Sequence, residues 1–416
     1  MNVKPISGKF SKQWLSRYRQ ILSLIRLHKP RSIVEVGAFT GERASGMIEE
    51  AVRHHPEGGV TYTGYDLFED ANGETDATEF NVRPHPKESN VADRLQRLCD
   101  QFKGRAQFRL VKGNTRETLQ PQRADLAFID GGHSVETIQS DYNALSGSDV
   151  VILDDYYESS GGRTGPDTKK VGCNALVADL TDFSVLPTHN PVTGGGRVKL
   201  VVRFGSDRLR GVRVRPDGPL MPYFYHDHNC GSPASLRRTE RTLEMAVAMH
   251  WLGGVGRDPR GGLVEVGAVT PYYSRESGYA VGTVIDPADA KATQRVSLFD
   301  HDIAGKDVLS LSTIEHIGAK QYDLKEDKTP VQAFEYIATK SRRFLISIPY
   351  GWVNSVVLEK KLLAERGLLA EAGINVYTVT RQADETWQAS DDLKPYGTRE
   401  KPWANTVIIA ERGGLL

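Results

Sequence analysis

The chain has 416 residues, more than the about 100–200 of one ordinary domain, so two domains are expected. Lysine plus arginine equals aspartate plus glutamate at 53 each, which leaves no global charge for non-specific capture of nucleic acid. Cys99, Cys173 and Cys230 have no ligand-like spacing and no apolar run reaches about 18 residues, so a disulfide framework and a membrane span are excluded and a soluble, cytoplasmic protein is expected.

Residues 11–29 place Trp14, Tyr18, Ile21 and Ile25 at helical spacing, an amphipathic lead-in helix that Pro30 ends. Ile33–Val36 then reads as a strand, Gly37, Ala38, Phe39, Thr40 and Gly41 as a glycine turn, and Arg43–His54 as a helix. VTYTGYDLF follows, a second strand ending in Asp66. In such a βαβ arrangement glycines let backbone approach a ligand, and an acid on the next strand holds a ribose diol. The turn is G-x-x-x-G and Glu35 sits inside the preceding strand, so the pattern departs from a nicotinamide site.

The polar stretch 68–93 has no period; so long a loop is commonly functional, such as a lid, or else disordered. Residues 91–103 return to helix, Gln107–Val111 is a strand followed by Gly113 and Asn114, and Glu136–Leu145 is a helix. Two short apolar runs, Leu126–Ile129 and Val150–Leu153, read as buried parallel strands. The first ends in Asp130 with His133 just beyond; the second ends in Asp154 and Asp155. Ligands of open α/β sheets bind outside the carboxyl ends of the strands. Three carboxylates and a histidine on that rim suit a hard divalent cation with a base beside it. A plainer reading stands next to it, in which the acids cap helices and His133 bonds backbone at a helix start.

FSVLPTHNPVTGGGRVKLVVRF reads as an antiparallel hairpin around Thr193–Gly196 and closes a first domain, 1–204. Residues 205–236 read as a linker, in which Arg208, Arg210, Arg213 and Arg215 fit scattered surface arginines better than a basic patch. His226 and His228 lack the matching ligands of a metal site. The second domain, 237–416, opens with a helix over Leu236–Leu252 and then echoes the first: GGLVEVGAVTPYYS against RSIVEVGAFTGERA. A strand ending in Asp286, the strands DVLSLS and RFLISIPYG, a helix over 357–372 and a closing strand pair complete a repeat at domain scale.

The ordered set of Glu35, Gly37 and Gly41, then Asp66, then Gly113 and Asn114, then the acidic rim resembles class I S-adenosylmethionine-dependent methyltransferases. The resemblance implies an α/β fold of two tandem Rossmann-like domains, with mostly parallel sheets and an antiparallel closing hairpin. It also implies S-adenosylmethionine held by Glu35, Gly37, Thr40, Gly41, Asp66, Gly113, Asn114 and Asp130. D-G-G-H followed by D-D resembles the metal-dependent sugar O-methyltransferases of macrolide biosynthesis. That likeness implies magnesium on Asp130, Asp154 and Asp155, His133 as the base, and a small-molecule hydroxyl substrate, a sugar. The same rim occurs in a relative linked to cephalosporin hydroxylation, so the rim alone leaves the reaction type open.

VEVGAVTPYYS, TVIDPAD, LSLSTIEHIG, ISIPYGW and KPWANTVIIA resemble a further class I group from bacterial sugar and polysaccharide gene clusters. Bulky residues up to Tyr273 replace its second turn glycine, Asp286 is placed for a ribose, and Glu315-His316 resembles only the end of an E-x-x-E-H metal motif, since Ser312 stands where its first acid would be. Two readings stand for this domain: a second active transferase, or a degenerate unit that binds acceptor or makes a homo-oligomer interface.

Overall fold

Strands buried on both faces must be apolar along their whole length, and the chain supplies them where the sequence pattern places them. The computed structural model describes residues 16–79, 84–158, 172–180, 182–187, 197–226, 238–255, 262–274, 281–319, 327–397, 404–414 and 416. Trp14, the hairpin tip at 193–196, His228 and Cys230 lie outside them. The chain divides into two units between Arg210 and Gly211.

The first unit runs α1 (Ser16–His28), β1 (Ser32–Val36), α2 (Glu42–His54), β2 (Val60–Asp66), α3 (Gly73–Glu79), α4 (Glu88–Gln101), β3 (Ala106–Lys112), α5 (Thr115–Thr118), β4 (Leu126–Ile129), α6 (Val135–Leu145), β5 (Val150–Glu158), α7 (Gly172–Ala178), β6 (Phe183–Val185), β7 (Arg197–Phe204) and α8 (Asp207–Arg210). Its seven-stranded sheet has the order β3-β2-β1-β4-β5-β7-β6. The β1–β2, β1–β4, β2–β3 and β4–β5 pairs are parallel; β7 is antiparallel to β5 and to β6. The chain therefore leaves β1 toward one edge and returns at β4 on the other side, which makes the β1/β4 carboxyl ends the switch point where such sheets open a crevice.

Three expectations change in this unit. The 68–93 stretch carries a helix, α3, which buries no residue and so has no apolar period to read; α4 begins at Glu88, earlier than its apolar pattern. The strand after α6 is longer than its apolar run and includes Asp154 and Asp155, with a register shift between Leu153 and Tyr156 against β7.

The second unit begins inside the expected linker. β8 (Gly211–Val212) and β9 (Met221–Pro222) pair antiparallel, and Val212, Met221, Tyr223 and Tyr225 are buried. Glycine, proline and arginine between these apolar residues hide any period. Then follow α9 (Glu240–Val255), β10 (Leu263–Val266), β11 (Thr283–Ile285), β12 (Asp307–Leu311), α10 (Pro330–Lys340), β13 (Arg343–Pro349), α11 (Val356–Ala364), α12 (Arg366–Glu371), β14 (Asn375–Arg381), β15 (Trp387–Ala389) and β16 (Thr406–Arg412). The sheet order is β11-β10-β12-β13-β16-β14-β15, parallel through β13 and antiparallel beyond it. The single helix expected over 357–372 is two helices, broken at Glu365 about two turns before Gly373 closes the segment with φ +74°. Among the described residues no helix is long and apolar enough to cross a membrane.

Candidate active site

At the switch point of the first unit the glycine turn is held from both sides. Gly37 has φ +86°, donates its N–H to the Tyr65 carbonyl at 2.8 Å, and packs directly on the backbone of Asp130. Asp130 in turn donates its N–H to the Val36 carbonyl at 2.8 Å, so the β1 turn and the start of the D-G-G-H loop form one backbone assembly. Gly41, with φ +72°, opens α2, and a Cβ there would lie 2.8 Å from Val91. Asp66 accepts from Phe39 N at 2.8 Å and Phe68 N at 2.6 Å, and both donors sit at positive φ. Burial raises the Asp66 carboxyl pKa, while these two N–H groups pull it back.

A cavity of about 510 Å³ lies over these ends. Gly37, Asp66, Gly113, Asn114, Asp130 and His133 are among its walls. Asn114 also caps α5 through its side chain, which accepts from Arg116 N. Glu35 is not on that wall. It is fully buried in β1, where Tyr62 Oη donates to one oxygen and Arg43 Nε lies 3.4 Å from the other. Burial pushes its pKa up, against the lowering pull of Arg43. Thr40, half-buried, is part of the turn itself.

The acidic rim is more internally paired than its sequence suggests. Adjacent residues of a regular strand point to opposite faces, so Asp154 and Asp155 could not share a rim without the irregularity in β5. Asp155 takes a left-handed conformation, φ +57°, and donates its own N–H to Asp154 Oδ1 at 2.7 Å. A non-glycine residue there marks backbone strain, and bulges of this kind re-aim side chains beside functional sites. Asp154 is buried and gripped by Arg17, with Nε at 2.8 Å from Oδ1 and Nη2 at 3.2 Å from Oδ2. Asp130 pairs with Arg43 Nη1 at 2.8 Å. Asp155 Oδ2 lies 3.3 Å from His133 Nδ1. Asp130, His133 and Asp155 each offer a ligand atom within 4.8 Å of the others, a spacing that a divalent cation can bridge; Asp154 is outside that group. Burial, with Asp154 and Asp155 adding repulsion, pushes the Asp130 pKa well up while Arg43 opposes it; Asp155 moves up for the same two reasons, with His133 opposing.

Arg17, Tyr18, Arg43 and Glu79 belong to this site although the sequence pattern does not single them out. Arg43 also donates to the Gly37 carbonyl at 3.0 Å and to Tyr18 Oη at 3.2 Å, and lies over the rings of Tyr18 and Phe128. A basic residue in the first turn of a helix runs against the helix dipole, and that misplacement is the one sequence signal for it. Glu79, at the end of α3, reaches Ser134 and Thr137 beyond the histidine.

Helix α6, which follows the histidine, carries a buried acid on its inner face. Asp141 is fully buried and, among the described residues, neither oxygen has a hydrogen bond of good geometry, although Thr115 approaches it. Burial raises its pKa to about 7. Because the folded value lies above the unfolded one, stability is lost as pH rises from about 4 to about 7. Asp141→Asn is therefore expected to stabilise the protein at pH 8 by roughly 2–4 kcal/mol and to change little at pH 4. Urea denaturation at the two pH values checks this, and equal shifts at both would refute it.

In the second unit the residues of the glycine turn satisfy one another. Glu265 accepts from Val269 N at 3.0 Å, Thr270 N at 2.7 Å and Thr270 Oγ1. A Cβ on Gly267 would overlap the Thr313 side chain, and Asp286 accepts from Ala288 N and Asp289 N. Ser312, which follows β12 as Asp130 follows β4, donates to Glu244; Glu315 is buried with His316 Nε2 3.6 Å away. His226 is buried edge-on against the Tyr273 ring at 4.9 Å.

Residues 34–153 match a family described as a methyltransferase domain. The stretch spans β1 to the apolar run of β5 and so contains the glycine turn, Asp66, Asp130 and His133. The match covers less than a third of the chain, and the enzyme class expected from the sequence, an S-adenosylmethionine-dependent methyltransferase, agrees with it. No curated protein matches the chain. Similar solved structures include the O-methyltransferase TomG from Streptomyces achromogenes, involved in tomaymycin synthesis and solved with S-adenosylmethionine (14% identity, 45% of this chain, 79% of that one, TM-score 0.30). Others are the O-methyltransferase NovP (20% identity, 45% and 77%, TM-score 0.31) and an O-methyltransferase from Bacillus cereus with S-adenosylhomocysteine (12% identity, 45% and 80%, TM-score 0.29).

Proposed function

We propose that the first unit methylates a hydroxyl of a small molecule, a sugar or glycosylated metabolite, with a divalent cation, magnesium, at the rim and His133 as the base. The observation that carries this reading is the convergence of Asp130, His133 and Asp155 within 4.8 Å beside a cavity walled by Gly37 and Asp66. S-adenosylmethionine, when bound, supplies an electrophilic methyl on a good, neutral leaving group. The difficulty is then the nucleophile, because an alcohol is about as weak an acid as water.

Two features of the chain address it. Asp130 and Asp155 are the oxygen donors a hard cation takes, and a bound cation lowers the pKa of a coordinated oxygen by many units. His133 presents Nδ1 to Asp155 Oδ2 at 3.3 Å, which fixes the ring and leaves Nε2 for the hydroxyl proton. Nε2 would take the proton of a hydroxyl held over the rim, and the bound cofactor would supply the methyl group to that oxygen and depart as a neutral sulfide. In this reading Asp154, tied to Arg17 and to the Asp155 N–H, shapes the bulge that aims Asp155. Glu35 and Arg43 support the turn from beneath. Gly37, Thr40, Gly41, Asp66, Gly113 and Asn114 remain the residues proposed around the cofactor.

The domain reading remains a proposal as well: a metal-dependent methyltransferase unit followed by a methyltransferase-like one. The self-satisfied Gly267 turn and the serine in place of a rim acid favour an acceptor-binding or oligomer-forming role for the second unit over a second transfer centre.

Calorimetry with S-adenosylhomocysteine, with and without magnesium, tests the core of the proposal. Transfer is followed as S-adenosylhomocysteine release across a panel of hydroxylated sugars. His133→Ala is expected to lose about 10²–10⁴-fold in rate with cofactor affinity intact. Asp155→Asn is expected to weaken Mn²⁺ binding as well as the rate. A protein that binds no S-adenosylhomocysteine sinks the transferase reading, and an Asp155→Asn variant at full rate sinks the role of the metal.

A further inference from the structure

We infer that Glu79 is a positioning residue: it couples the roof helix α3 to the loop that carries Asp130 and His133, so that covering the cavity and aligning the base are one event. This rests on the methyltransferase reading of the same site. Helix α3 has seven residues and buries none of them. A helix needs about 12–15 residues to persist alone in water, so this one depends on what its side chains hold.

At its carboxyl end Glu79 accepts from Ser134 N at 2.9 Å, Ser134 Oγ at 3.0 Å and Thr137 Oγ1 at 2.7 Å. Hydrogen bonds to a carboxylate are roughly twice as strong as neutral ones. Further along the chain, His85 Nε2 pairs with Asp76 Oδ1 at 2.7 Å. Held this way, α3 gives Glu74, Thr75, Thr78 and Glu79 to the cavity wall.

The second glycine of D-G-G-H fits the same account. A Cβ on Gly132 would lie 2.6 Å from Glu79 Oε2 and 2.5 Å from Thr137 Cγ2. The loop therefore lacks a side chain where the carboxylate passes, one residue before the base. Simple capping of α6 does not account for Glu79, because Ser134 is already the cap, its Oγ accepting from Thr137 N at 3.3 Å. Glu79 instead binds the cap's own N–H and hydroxyl and the Thr137 hydroxyl. It thus fixes the residue next to His133.

Hydrogen exchange on the full chain, without ligand, reads the coupling directly. In Glu79→Ala, amides of 73–79 and of 131–138 are expected to exchange at least about 10-fold faster together, with Glu79→Gln between it and wild type. The His133 imidazole resonances should shift in the same variants, a signature that loss of a helix cap elsewhere on α6 would not produce. Thr137→Val removes a donor from the opposite side and should give the same paired rise, which keeps the test decisive where Glu79→Ala does not fold. Faster exchange confined to 73–79, with 131–138 and the His133 signals as in wild type, overturns the coupling. S-adenosylhomocysteine binding is measured on the wild type alongside. Its absence would count against the enzyme reading, while the exchange result still decides the role of Glu79.

Discussion

Gly37→Ala is expected to abolish S-adenosylhomocysteine binding and to cost the first unit more than about 3 kcal/mol of stability. Two effects combine. At φ +86° an alanine pays about 1–2 kcal/mol for the left-handed backbone. Its Cβ would also lie 2.5 Å from the Asp130 carbonyl carbon and closer still to the oxygen, so one of the two backbones must move. Neither is free to do so, because Gly37 N is bonded to Tyr65 O and Asp130 N to Val36 O. Yielding shifts the turn against Asp66 and moves Asp130 off the rim, so the losses of binding and of stability have one cause. Gly104 is the control: it has φ +81° with nothing within 4 Å of a built Cβ. Gly104→Ala should cost only the backbone term, about 1 kcal/mol, and leave binding intact. Thermal denaturation and calorimetry on the two variants separate overlap from backbone strain. Equal behaviour of the pair would show the Gly37 turn to be slack.

Much of this site is readable in the sequence because parallel strands put chemistry at predictable places. Each apolar run ends at the same edge of the sheet, so Gly37, Asp66, Asp130 and Asp155 follow from strand ends alone. What escapes is set by partners far apart in the chain. Arg17 meets Asp154 across 137 residues and Glu79 meets Ser134 across 55, and no local pattern pairs them. Helix α3 escapes for a different reason: a helix that buries nothing carries no amphipathic signature. The β5 irregularity escapes because strand periodicity assumes regular pleating, which would have sent Asp154 and Asp155 to opposite faces. The acids were legible; their state of pairing was not. All three already face a guanidinium, Asp155 sharing Arg17 with Asp154 at 3.7 Å, and Asp155 is the one that also faces the histidine.

That pairing makes Arg43 the second position where a large effect is expected. Arg43→Met keeps much of the aliphatic volume against Tyr18 and Phe128 but removes a cation that pairs with both Glu35 and Asp130. Breaking a buried pair from one side costs about 3–5 kcal/mol, since the partner charge stays buried without compensation. Here two carboxylates are orphaned, and Arg43 is the strongest lowering influence on both. Their folded-state pKa values, already above the unfolded ones, rise further in the variant. Stability that depends on such groups is lost as pH rises above about 4. The deficit of Arg43→Met should therefore be largest near pH 8 and shrink toward pH 5, where both carboxyls take up protons at little cost. Urea denaturation of wild type and variant at the two pH values measures it. Adding Glu35→Gln to Arg43→Met should recover part of the loss at pH 8, because it neutralises one of the orphaned acids while Tyr62 keeps a partner. A deficit independent of pH, or a double variant that simply adds two losses, would place the role of Arg43 in packing against the rings and not in charge.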